Sequence, residues 1–139
     1  MDTSFAKSFG AVELIGTFPV LARSKHARAR LLRAVGKTRH NAAVEMLRTG
    51  CLEGRLGAEL HDFFSDEIQN EARVVWSGLI FDPEDKDNVD GQFPVCIREY
   101  EGIYFVWALE YDPQGYFLSR DEAHSFVHLN WDNVREERA

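Results

Sequence analysis

Two histidines four residues apart, His124 and His128, share one face of any helix that carries them. With Asp121 one turn earlier and Asp132 just beyond, they are residue types from which a zinc site or a general acid–base pair can be built. The zinc-protease pattern also requires a glutamate directly after the first histidine, and that residue is Ser125. No general base is supplied, and a metal would need a third ligand from a distant segment such as His26, His40 or His61. The plainer reading is polar residues on an amphipathic helix, whose charge changes near the ordinary histidine value of about 6.5.

A second group able to bind is acidic. Asp82 to Gln92 reads DPEDKDNVDGQ, with five acids, one proline and one glycine in eleven residues. Carboxylates suit calcium, yet with Gly91 as the sixth position of a calcium loop the first, third and fifth become Lys86, Asn88 and Asp90, and the twelfth becomes Ile97. That register fails at both ends. Asp82, Glu84, Asp85, Asp87 and Asp90 therefore read as an exposed loop that can steer a basic partner. Tyr100, Tyr104, Tyr111, Tyr116 and Trp131 are the aromatic side chains expected to carry affinity beside it. No cofactor is implied.

The third group is basic. No acidic residue lies between Glu13 and Glu45, whereas Arg23, Lys25, Arg28, Arg30, Arg33, Lys37 and Arg39 all do. At 100° per residue, His26, Arg30, Arg33 and Lys37 fall within about 60° of one another on a helix. Such a stripe can contact phosphates. A helix-turn-helix built around Gly36 would, however, place Glu45 at an inward position, unpaired. Cys51, after Gly50 near the start of a possible helix and with His61 and Asp62 ten residues on, is a thiol that a nucleophilic site could use, but sequence proximity does not make a triad. No nucleophile elbow, phosphate loop or dinucleotide fingerprint occurs.

These groups must be positioned by elements whose periodicity is legible. Ser24 reads as an N-cap, after which Ala27, Leu31, Ala34 and Val35 recur at helical spacing up to Gly36. A second helix is expected from near Thr38 to Gly50, burying Ala43, Val44, Met46 and Leu47. A third carries Leu56, Leu60, Phe63, Phe64 and Ile68. The opening segment, from Phe5 to Val20, is read as helix ending at Pro19. Beyond residue 72 the period changes to two, and fourteen of the 17 aromatic residues lie in residues 61 to 139. Strands are predicted over Arg73 to Phe81, Phe93 to Tyr100, Ile103 to Tyr111 and Tyr116 to Leu118. The third, apolar on both sides, should lie inside its sheet. Ser119-Arg120-Asp121-Glu122 matches a capping box and starts a C-terminal helix.

The expected fold is a single α+β domain over residues 1 to 139. Its helical N-terminal half (1–72) packs on a roughly four-stranded, mostly antiparallel sheet, with a capped C-terminal helix in 73–139. The 16 basic and 23 acidic residues leave a net charge of −7, split unevenly: residues 1 to 60 carry +5 and residues 61 to 139 carry −12. At 45% hydrophobic the chain can build a core, and no run approaches the roughly 18 apolar residues of a membrane span. The N-terminus has an early acid and no apolar leader, so a cytoplasmic protein with free Cys51 and Cys96 is expected.

Net acidity disfavours nucleic acid. The leading expectation is a non-enzymatic protein-binding module, an inhibitor or immunity type of protein that docks its acidic surface on a basic partner. Its rivals are a small hydrolase or nuclease using His124, His128 and Asp121, and a nucleic-acid-binding regulator using Arg30, Arg33 and Lys37. A homodimer in which the basic helix of one copy meets the acidic loop of another is a further arrangement.

Overall fold

A computed structural model describes residues 14–81, 92–108, 113–131 and 134–136. Five helices and one five-stranded antiparallel sheet are present among them, an α+β fold with its helices in the N-terminal half and one more near the C-terminus. The chain divides into two compact units, Gly10–Ala72 and a second that contains Arg73–Ala139.

The first unit is helical. Helix α1 is Phe18–Ala22, and Pro19 stands in its first turn instead of ending it as expected. Proline is at home there because the first turn has no use for its missing N–H, and its fixed φ suits the helix. Helix α2, Lys25–Val35, starts at Ser24, whose Oγ accepts from the Ala27 N–H at 3.0 Å. Ala27, Leu31 and Val35 are its buried stripe, while Ala34 is exposed. Gly36 alone joins α2 to helix α3, Lys37–Thr49; its φ of 86° is open to glycine and strained for other residues. Gly50 closes α3 in the left-handed conformation. Helix α4, Gly54–Glu71, buries Leu60, Phe64 and Ile68 as its stripe requires. Phe18 and Phe64 meet with ring centroids 5.7 Å apart in a core shared with Leu21, Leu31 and Leu47.

The second unit holds the sheet. Strands β1 (Arg73–Phe81), β2 (Gln92–Tyr100), β3 (Ile103–Ala108) and β4 (Gly115–Phe117) follow the predicted order, and helix α5 (Arg120–Asn130) and strand β5 (Val134–Glu136) complete it. The spatial order is β4-β3-β2-β1-β5, antiparallel throughout. β5 makes the sheet five-stranded where four strands were expected. Val-Arg-Glu has one apolar residue and no period to betray it; it is a strand because it pairs with β1, Leu79 opposite Arg135. β3 lies between β2 and β4 and is buried on both faces, Ile103, Phe105 and Trp107 on one and Val106 and Ala108 on the other.

One face of the sheet, with Ile80, Val95, Ile97, Val106 and Phe117, is covered by Ala123, Phe126 and Val127 of α5. The helix is seated as its N-terminal sequence dictates: the Glu122 N–H donates to Ser119 Oγ at 3.2 Å, and Asp121 and Glu122 lie in the first turn. β1 breaks its register with β2 between Val74 and Trp76, so a bulge lies at Val75.

Candidate functional surfaces

The basic helices are answered within their own unit. Arg30 clasps the Glu67 carboxylate in a fork, Nε to Oε2 at 2.9 Å and Nη2 to Oε1 at 2.8 Å, with Glu71 3.7 Å away. The Glu67 side chain is only 3% exposed, so this bidentate pair supports a buried charge. Arg39 donates to Glu59 at 2.7 Å, and Arg48 pairs with Glu45 one turn before it. Of the basic residues singled out, Arg33 and Lys37 are exposed, whereas Arg30 is committed to α4. Glu67 was missed in the sequence, although its position gives it away. It falls three residues after Phe64 and seven after Leu60, on the apolar stripe, where a carboxylate requires a cationic partner.

The structural boundary also redistributes the charge. Gly10–Ala72 carries nine basic and eight acidic residues, a net of +1, and Arg73–Ala139 carries six and fourteen, a net of −8. The acids of α4 belong with the basic helices and not with the sheet.

Asp82, Glu84, Asp85, Asp87, Asp90 and Tyr111 lie outside the described residues. The other aromatic candidates are divided. Tyr100 is 3% exposed and has no surface to offer a partner. Tyr104 and Trp131 are half-buried against the α5 core, Trp131 edge-on to Phe126 with centroids 6.1 Å apart. Tyr116 pairs opposite Phe105 and so belongs to the other face of the sheet. Tyr104 and Trp131 both pack against this core; Tyr116 does not share it.

Among the described residues the histidine pair has no third ligand beside it. His128 is exposed, and among the described residues no group of three or more His, Cys, Asp or Glu could hold a metal ion. Of the residues considered as distant ligands, His40 Nε2 lies 3.2 Å from the Arg28 carbonyl and His61 Nδ1 lies 3.8 Å from Asp62. Cys51 and Cys96 are free thiols, Cys51 exposed in the segment between α3 and α4.

His124 has a more defined environment. Its ring stands edge-on to Trp76 at 5.2 Å, and Arg120 Nε approaches its Nε2 at 3.4 Å. The same Arg120 donates through Nη2 to the Val75 carbonyl at the bulge, at 2.8 Å. Burial and the Arg120 cation, followed by His128, hold the His124 imidazole below the usual histidine range, against the opposing pull of Asp121 and Glu136. Trp76 reaches this place by lying across Gly78, where a Cβ would come within 2.5 Å of Trp76 Cη2. This cluster depends on a bulge at Val75, a glycine three residues on and a helix start 45 residues away, so no local motif announces it.

No family model matches this chain, and neither a curated protein nor a solved structure matches it.

Proposed function

We propose that this chain is a non-enzymatic protein-binding module of the inhibitor or immunity type, whose acidic sheet unit docks on a basic partner. The observation that carries this reading is the distribution of charge by structural unit. The helical unit is nearly neutral, with Arg30 and Arg39 already paired to α4, while the sheet unit has a net charge of −8. A surplus of that size steers an oppositely charged protein from beyond contact distance and accelerates association more than it slows dissociation. The acids among residues 82–90 are the steering groups in this reading, and the partly buried Tyr104 and Trp131 the aromatic anchors.

The test is kinetic. A partner captured from the native host's lysate is titrated against the parent chain and a D85N/D87N/D90N variant at about 0.1 M and about 1 M NaCl, where the screening length falls from about 10 Å to about 3 Å. The variant is expected to associate several-fold more slowly at low salt, to converge with the parent at high salt, and to dissociate at an unchanged rate. Equal association rates at low salt would overturn the assignment.

A further inference from the structure

One side chain ties the first turn of α5 to the bulge of β1. Arg120 Nη2 donates to the Val75 carbonyl at 2.8 Å, and its Nε–H points at His124 Nε2 from 3.4 Å. Nε2 can accept that hydrogen only while the imidazole is neutral and keeps its proton on Nδ1. Adding a proton turns the acceptor into a donor and sets an imidazolium against a guanidinium across the same gap. The histidine is bounded on the side of the sheet. Its ring is edge-on to Trp76, and Trp76 lies across Gly78 with the Arg135 carbonyl of β5 on the same side. Arg120, exposed and on a long flexible stem, is the member that can move.

We propose that Arg120, His124 and Trp76 form a proton-responsive latch: neutral His124 lets Arg120 hold α5 on the Val75 carbonyl, and protonated His124 expels Arg120 and frees the first turn of the helix. The charged groups facing His124 are Arg120, His128 and Asp121 on α5 and Glu136 on β5, while β1 contributes the uncharged Trp76 ring. Because His124 binds its proton less readily folded than unfolded, its contribution to stability is complete above the ordinary histidine value of about 6.5 and is lost as the pH falls below it. The latch is closed at neutral pH and opens in acid.

Nuclear magnetic resonance of the full chain tests this. The His124 ring signals, the Arg120 Nε–H and the amides of Val75, Trp76 and Gly78 are followed through the histidine range. In the parent chain the Arg120 Nε–H is expected to be lost, and the three amides to shift, with the same midpoint as the His124 ring. In Arg120→Met that midpoint rises because a facing cation is gone, and in His124→Gln the acid-induced amide shifts disappear. Amides that ignore the His124 midpoint in the parent chain overturn the latch without recourse to any variant. So do amide shifts that persist in a folded His124→Gln chain.

Discussion

Gly78 and Glu67 are residues whose identities make sense only through what touches them. The Cβ of an alanine at position 78 would stand 2.5 Å from Trp76 Cη2 and 2.9 Å from the Arg135 carbonyl, so the indole must leave its place. Gly78→Ala is expected to cost about 1–3 kcal/mol, the usual penalty for overpacking, measured by urea unfolding, and to move the His124 ring signals as well. A loss of stability that leaves His124 unmoved would show that the indole does not rest there. At Glu67 the forked Arg30 compensates a buried carboxylate. Arg30→Ala removes the partner and leaves the charge; because Arg30 is itself 37% exposed, water offsets part of the loss and about 1–3 kcal/mol is expected. Replacing both, Arg30→Met with Glu67→Leu, is expected to recover most of it in the same unfolding measurement, since an apolar pair has no charge to strand. The glutamate is readable from its place on the stripe; its partner, 37 residues away, is not.

The helix starts are a property of short segments, which is why they were legible. Ser24 and Ser119 each accept a backbone N–H three residues on, at 3.0 Å and 3.2 Å, as their neighbouring apolar patterns predict. Ser24→Ala and Ser119→Ala are each expected to cost about 1 kcal/mol, with threonine restoring most of it, by chemical denaturation. For Ser119 the loss also loosens the turn that carries Arg120, so the Arg120 contact with Val75 is expected to weaken in the same variant. The strands β1 to β3 were legible from alternation and aromatic content, and the elements that were misplaced failed for identifiable reasons. Pro19 can end a helix that precedes it or open one that follows, and only the position of its turn distinguishes the two cases. β5 is three residues long, too short for any period, and exists because β1 has an edge to pair with.

For the molecule as a whole the quantity that counts is how charge is shared between units. A split at residue 60 puts four of the five acids of α4 with the sheet and makes the helices look strongly basic; with the boundary after Ala72 they balance at +1 and leave −8 on the other unit. The docking proposal therefore carries an internal control: Arg33→Gln with Lys37→Gln, on exposed positions of the helical unit, is expected to leave association with a basic partner no slower, in contrast to D85N/D87N/D90N. The same rate and salt series reads both variants. Composition, periodicity and capping chemistry by themselves determined an α+β chain with three successive helices from Ser24 to Glu71, an antiparallel meander and a capped helix after it, because each of these is a preference of contiguous residues for their own backbone and water. Only the tertiary structure decided that Arg30 belongs to Glu67, that Tyr100 is core, that a fifth strand closes on β1, and that Arg120 and His124 meet the bulge at Val75. Those outcomes rest on contacts between residues far apart in the chain, whose free energy exists only once the elements have been brought together.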